Sequence, residues 1–405
     1  MKQRSTMLLL SALIASGTLS HSTITYAKTP EADFKLWLIS FKDKARQQGI
    51  SERTLSLALD SLELSKKVIK SDRKQPEFSR TFFEYLNRAV SKTRIENGRQ
   101  NYQKHQKILQ QVERKYGVPA HYITAFWGME TNYGGFTGNL PIIQSLATLA
   151  YDPRRSEFFS QELMAALKIL DRGDVSLDEM KGSWAGAMGQ VQFMPSNYLK
   201  YAVDGDGDGK INLWASLPDA FHSAGNFLQH LGWNAQTPWG HEVALTENFD
   251  FALADNKTER SVAEWKKLGV KLLPHLKLAD HLKAKLVLPS DYRGPAFLAF
   301  NNYQVIKRWN NSTNYAIGVG YLAQRIIKEP ELTKKQPKDD KGLSKEQVKQ
   351  IQSLLNQLGF NAGKPDGIAG SNTRSALRAF QSARKLPADG FPSRRMLEHL
   401  RKAAQ

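Results

Sequence analysis

The stretch that constrains this chain most is Ile123-Thr124-Ala125-Phe126-Trp127-Gly128-Met129-Glu130-Thr131-Asn132-Tyr133-Gly134-Gly135, because it asks a helix to bury a carboxylic acid. Pro119 suits a first helical turn, and Gly134-Gly135 suits a stop. Ile123, Phe126, Trp127 and Glu130 are spaced i, i+3, i+4 and i+7, so they share one face. Three of the four are large and apolar, and the fourth is an acid placed where the pattern predicts burial. Desolvation disfavours the charged form, so this carboxyl is expected to have a raised pKa and to hold its proton near neutral pH. A protonated carboxyl beside a cleft is what general-acid attack on a glycosidic oxygen requires. The competing reading is a helix-end Glu that reaches solvent or pairs with a lysine.

The two ends frame this core. Residues 1–27 read as a signal peptide, with Lys2 and Arg4 ahead of an apolar run from Met7 to Ala15 and Thr25-Tyr26-Ala27 at the cleavage site. That run is too short to span a bilayer, and no later stretch reaches about 18 apolar residues, so no transmembrane segment is expected. The chain has no Cys, which excludes disulfides, thiolate metal sites, a Cys nucleophile and lipid attachment to an N-terminal Cys. The expectation is a soluble protein of the periplasm, cut after Ala27 and not a lipoprotein. Beyond residue 27 the chain keeps 55 Lys+Arg against 39 Asp+Glu. Such an excess suits a polyanionic partner, although the charges are spread out and serve solubility equally well.

Along the chain, Asp33 to Gly117 is helical in pattern, with stripes such as Phe34, Trp37, Leu38 and Phe41. Leu140 to Ala150 and Phe158 to Leu170 continue it. The stretch Gly182-Ser183-Trp184-Ala185-Gly186-Ala187-Met188-Gly189-Gln190 permits close backbone approach, to a second helix or to a sugar ring. Ser183, Gln190 and Gln192 offer neutral hydrogen bonds. Asp204, Asp206 and Asp208, with Gly209 and Ile211, match the front of an EF-hand loop and suit Ca²⁺. Position 12 is Ala215 instead of the usual Glu, so the loop is either a weak structural Ca²⁺ site completed by Asp219 or an acidic turn. From 240 to 308 short apolar runs predict a small antiparallel sheet, with Asn301-Asn302 at a hairpin tip and Tyr303 to Ile306 as a strand. A last body helix is expected over Ala316 to Ile327. Residues 329–342 read as a linker, and 343–405 as a small module of three helices. Residues 331–405 hold 15 Lys+Arg against 7 Asp+Glu.

Two resemblances emerge from these motifs. Residues from about 33 to 328 resemble the lytic murein transglycosylase B family, in its soluble form. The carrying segments are Phe126 to Gly134, Gly182 to Gln190 with Gln192 to Ser196, the Asp-Gly loop, and Trp309-Asn310 with Tyr315-Ala316. Leu358-Gly359-Phe360, Asp366-Gly367-Ile368, Thr373, Ala376-Leu377, Phe380-Gln381 and Asp389-Gly390 resemble the three-helix peptidoglycan-binding module. The resemblance implies an α+β, mainly α fold: a lysozyme-like catalytic domain over 28–328 with a small β insertion, then the module. It also implies cleavage of the β-1,4 bond between N-acetylmuramic acid and N-acetylglucosamine without water, leaving a 1,6-anhydro ring. Glu130 falls on the catalytic acid/base, and Ser183, Gln192, Asn310 and Tyr315 fall on positions lining the sugar cleft. No cofactor is required, and some members bind Ca²⁺ at the Asp-Gly loop.

That reaction suits a single carboxyl, since two-carboxylate glycosidases need a second acid as nucleophile or base. Two alternatives share the scaffold: a hydrolytic muramidase and a non-catalytic wall-binding protein. Peptidoglycan glycan strands are the expected partner. Nucleic acid is disfavoured by the signal peptide and by the lack of a basic recognition helix. The module is expected to act as a targeting device, apart from the active site.

Overall fold

The structure is a computed structural model that describes residues 30–73 and 80–405, so the expected signal peptide lies outside the described residues. Among the described residues no helix is long and apolar enough to cross a membrane. The fold is mainly helical, in three hydrophobic cores. The largest spans the helical body, the second lies under a five-stranded sheet, and the third sits within the C-terminal helices.

At the centre of the body lies the helix Ala120–Thr131. Its sequence stripe predicted one buried face, yet Tyr122, Thr124 and Ala125 are buried as fully as Ile123 and Phe126. A helix that is covered all round is a core helix. Lys92–Lys104, Gln106–Tyr116, Leu217–His230 and Thr313–Ile326 pack around it. It ends earlier than Gly134-Gly135 suggested, because Asn132 and Tyr133 take positive φ of 52° and 61°. Asn tolerates that region and Tyr does not, so the turn is held by what Tyr133 touches. The Tyr133 hydroxyl donates to the Arg94 carbonyl at 2.8 Å. Its ring and hydroxyl fill space that only glycine leaves: an added Cβ would come within 2.6 Å of Tyr133 at Gly128 and within 2.4 Å at Gly98.

The sheet interrupts the body between Leu217–His230 and Thr313–Ile326. Its strands run in the order Glu259–Ser261, Lys283–Val287, Ala296–Ala299, Gly240–Leu245, Val270–Leu272, and every neighbouring pair is antiparallel. Trp265, fully buried on the short helix Val262–Lys267, donates its indole N–H to the Ala284 carbonyl at 2.8 Å. One expectation fails here. Asn301-Asn302 is not a hairpin tip and Tyr303 to Ile306 is not a strand: Asn301–Trp309 is a helix. The reason is tertiary. Asn302 is buried, donating to the carbonyls of Asn234 and Thr237 at 2.8 and 2.7 Å and accepting from Asn234 N–H, which anchors the first turn.

The C-terminal helices Lys345–Gln357, Ser371–Ala383 and Arg394–Ala403 close on Ile351, Leu355, Leu377, Phe380 and Leu400. The Asp-Gly pairs gain a physical reason. Buried Gln352 donates to Asp366 at 2.9 Å and accepts from Gly367 N–H at 2.9 Å. Buried Gln381 does the same for Asp389 and Gly390, both at 2.7 Å. Each glutamine locks one turn.

Residues 329–342 are not a free tether. Glu242 accepts from the backbone N–H groups of Thr333 and Lys334 at 2.7 and 3.2 Å, and Arg293 pairs with Asp339 at 2.7 Å. The module itself touches the insertion: Tyr292 N–H donates to Asp389 at 2.9 Å, and Arg395 donates to the Tyr292 hydroxyl at 3.1 Å.

A test of the central packing is Gly128→Ala. The new methyl must displace the Tyr133 ring, and overpacking of this kind costs about 1–3 kcal/mol. The melting temperature should fall accordingly, and an unchanged value would show that the ring has room to move.

Candidate active site

Glu130 lies in the last turn of the helix Ala120–Thr131, partly open to a cavity of about 1170 Å³ between the body, the insertion and the module. Its Oε1 accepts two hydrogen bonds from residues far along the chain. Trp309 Nε1 donates at 2.8 Å, and the Tyr315 hydroxyl donates as well. Both donors are positioned by the body. Trp309 ends the helix Asn301–Trp309 and its ring lies 4.6 Å from that of Phe126, with Phe193 and Phe227 close behind. Tyr315 is buried in the first turn of Thr313–Ile326, which Ser312 caps by accepting from Tyr315 N–H at 3.2 Å.

Burial raises the Glu130 pKa to about 7, while the hydrogen bonds from Tyr315 and Trp309 pull it part of the way back. Burial, and then the charge of Glu130, push the Tyr315 hydroxyl well above its usual value, so it stays a donor. The pair gives a carboxyl that can hold a proton near neutrality and, once ionised, finds two donors already in place.

The glycine-rich segment braces this helix from below. Gln190, through its side chain, accepts from Trp127 Nε1 at 2.8 Å and donates to the Trp214 carbonyl at 3.1 Å. Its own carbonyl accepts from Thr131 Oγ1 at 2.9 Å. Gln190 thus fixes the turn that carries Glu130.

Of the four sugar-cleft positions suggested by the sequence, Asn310 and Tyr315 line the cavity with Glu130. Ser183 and Gln192 are outside that lining and make internal hydrogen bonds. Ser183 Oγ accepts from Ala187 N–H at 3.0 Å, closing the turn at Gly186. Gln192, at φ 52°, donates to the carbonyls of Thr137 and Gly189 at 2.9 and 3.0 Å. Sequence reasoning did not select Trp309 as a site residue, although it quoted the Trp309-Asn310 pair. Nothing in the local pattern separates an indole that donates to a carboxylate from one that fills a core.

At the Asp-Gly loop, one oxygen each of Asp204, Asp206 and Asp219 come within 4.8 Å of one another. Asp208 does not join them; it accepts from Lys210 N–H at 2.8 Å in an exposed turn. Buried Asp219 reaches this group because the helix Leu217–His230 starts directly after the loop. Its two oxygens accept from Gly205 and Asn212 N–H at 2.8 and 2.6 Å, and burial raises its pKa. Three hard carboxylate oxygens are a donor set that fits Ca²⁺.

Comparisons with known proteins agree with this geometry. The transglycosylase SLT domain family matches residues 33–324, and a peptidoglycan-binding domain family matches 344–400. SltB3 of Pseudomonas aeruginosa, solved in complex with NAG-anhNAM-pentapeptide and with NAG-NAM-pentapeptide, is 42% identical. That match has a TM-score of 0.87 and covers 91% of this chain and 99% of that one. The lytic transglycosylase Slt35 of Escherichia coli, solved in complex with calcium, is 30% identical with a TM-score of 0.63, covering 72% of this chain and 92% of that one. The E. coli membrane-bound lytic murein transglycosylase B is 36% identical over 247 residues, which span 60% of this chain and 66% of that protein. With the SLT domain matched over most of its length, a buried carboxyl at the cleft and a second family matched at its C-terminal end, the chain belongs to the lytic transglycosylases, enzymes that act on peptidoglycan.

Proposed function

We propose that this protein cleaves the β-1,4 bond between N-acetylmuramic acid and N-acetylglucosamine without water, with Glu130 as its single acid/base. The observation that carries the reading is the Glu130 carboxyl itself: desolvated, shifted to about 7, and held by Trp309 and Tyr315. Protonated Glu130 gives its proton to the glycosidic oxygen as that bond breaks. The resulting carboxylate, steadied by the two donors, takes the proton of the muramoyl 6-hydroxyl as the hydroxyl oxygen closes on C1. One proton leaves Glu130 and one returns. The substrate's own N-acetyl group stabilises the cation between the two steps. Ser183, Gln192, Asn310 and Tyr315 contact the sugars, and Ser183 and Gln192 also hold their own loop in shape through internal hydrogen bonds. In this reading residues 28–328 form the catalytic domain, and the protein works in the periplasm after removal of its leader. A hydrolytic muramidase would need a base for water, and anhydro against reducing product ends separate the two.

Glu130→Gln keeps the shape but can neither give nor take the proton. General acid–base catalysis contributes about 10²–10⁴-fold, and one residue serving two transfers should place the loss at the upper end or beyond. The folded variant should still bind sacculi but release almost no anhydro-muropeptides. Near-normal release would remove Glu130 from the mechanism.

The pH dependence follows from the same carboxyl. The first step needs the protonated form, so kcat/KM should fall as pH rises through about 7. Tyr315→Phe removes a donor that favours the carboxylate and should move that limb to higher pH. Stability has the same sign: a folded pKa above the unfolded value favours the fold at low pH, a contribution lost as pH rises through the folded value. An alkaline limb that stays put in Tyr315→Phe would contradict the assignment.

We propose further that Asp204, Asp206 and Asp219 hold a structural Ca²⁺. Saturating Ca²⁺ should raise the melting temperature by mass action, and Asp219→Asn should abolish the increase. Turnover well below that temperature should change little. A chelator that stops catalysis without lowering the melting temperature would assign the ion a direct role instead.

A further inference from the structure

The cavity that holds Glu130 has a second wall, and that wall belongs to the C-terminal module. Gly370, Ser371, Arg374 and Arg378 line it from the helix Ser371–Ala383, and Arg395 lines it from the next helix. Two features of the wall bring positive charge to it, beside Asp255, Asp291, Asp339, Asp340 and Asp389, which line the same cavity. Ser371–Ala383 opens into the cavity with no side-chain cap on its N-terminus and no acid in its first turn, which leaves the positive end of its dipole uncompensated. Arg374 and Arg378, four residues apart, lie on one helix face, where like charges repel.

Among the described residues neither arginine makes a direct ion pair, although the charges of Asp389 and Asp255 act on them. The Arg374 guanidinium lies over the Phe391 ring, 5.4 Å from its centroid. Arg378 gives one N–H to the Ala254 carbonyl at 3.3 Å, and its Nε is buried with no partner. The Arg395 Nε is likewise buried and unpartnered. The acids that face this pair are Asp389 and Asp255, and both are occupied. Asp389 accepts from Gln381, Phe391 N–H and Tyr292 N–H, and Asp255 from Thr258 and from Lys257 N–H. Burial, and then their mutual repulsion in the case of Arg374, lower the pKa of both arginines. Such a cluster is more stable with an anion on it, and a guanidinium fork takes a carboxylate with two parallel hydrogen bonds.

We propose that Arg374, Arg378 and the N-terminus of their helix form a carboxylate subsite that takes the peptide stem of the strand being cleaved. This rests on the reading of Glu130 as the group acting on the muramoyl bond. The stem is carried by the muramoyl sugar, so a strand seated at Glu130 brings carboxylates to the opposite wall of the same cavity. At about 1170 Å³ the space exceeds the ~300–1,000 Å³ of ordinary small-ligand pockets and admits sugars together with a peptide. The module is therefore a specificity element of the cleft as well as an anchor.

The test uses the full chain and three versions of one glycan strand: stem-bearing, stripped of stems by an amidase with the lactyl carboxylates so exposed capped as methylamides, and stem-bearing with its carboxylates converted to carboxamides. The wild type should show a higher kcat/KM on the first than on the other two, with the difference in KM. In Arg374→Gln/Arg378→Gln, the ratio of stem-bearing to stripped cleavage should fall about 10–100-fold, the worth of a charged hydrogen-bonded contact. If the melting curve shows that the double variant does not fold, Arg374→Gln alone carries the test, since among the described residues the Arg374 guanidinium makes a ring contact and no ion pair. Equal cleavage of all three strands by the wild type, or an unchanged ratio in a folded variant, overturns the subsite while leaving the role of Glu130 intact. Failure of the wild type to cleave any of them overturns the reading of Glu130 and the subsite with it.

Discussion

Everything at the active site depends on keeping one carboxyl out of water without isolating it. The helix Ala120–Thr131 is covered on all sides, and Glu130 sits in its last turn, where the covering opens to the cavity. Burial alone would make ionisation costly, and an unpaired buried carboxylate is among the more expensive groups a protein can hold. Trp309 and Tyr315 set the balance: their hydrogen bonds favour the charged form by enough to leave the pKa at about 7. A group poised there exchanges its proton in both directions at modest cost.

That poise is a property of three distant segments held together. Gln190 ties the glycine-rich segment to Trp127 and Thr131, and Tyr133 seats against Gly98 and Gly128 to fix the turn after Glu130. Asn302 anchors the helix that delivers Trp309. None of these residues needs to touch substrate, yet each fixes where the carboxyl or one of its donors stands. A shift of an ångström in any of them would be felt at the reacting bond.

The C-terminal module changes meaning once its position is seen. Its three helices close their own core and its Asp-Gly turns are locked by Gln352 and Gln381, so it has the build of an independent unit. Yet residues 329–342 lie docked on Glu242 and Arg293, and Asp389 accepts a hydrogen bond from the insertion. The second wall of the cavity therefore comes from a region that sequence reading assigned to targeting alone.

Fold class and the unusual placement of Glu130 were legible in local periodicity, and the family in motifs that the chain shares with it. A 3.6-residue stripe that ends in an acid places that carboxyl on the buried face of its helix. The Asp-Gly motifs likewise carry their turns with them. The partners of Glu130 were not legible as partners, since Trp309 and Tyr315 lie 179 and 185 residues away and an aromatic stripe reads as core whichever way its polar atom points. Asn301 to Ile306 misled because β-branched residues after an Asn pair suit a strand locally, and only the carbonyls of Asn234 and Thr237 make a helix the better answer. Loop spacing selected Asp208 with Asp204 and Asp206 and offered Asp219 to complete the shell, while the fold groups Asp219, from the following helix, with Asp204 and Asp206. The sequence by itself determined which segments are helices of a buried core and which carboxyl is out of place among them. Only the tertiary structure decided which donors tune that carboxyl and that the module walls its cavity, because contacts between distant segments are set by packing and leave no period in the chain.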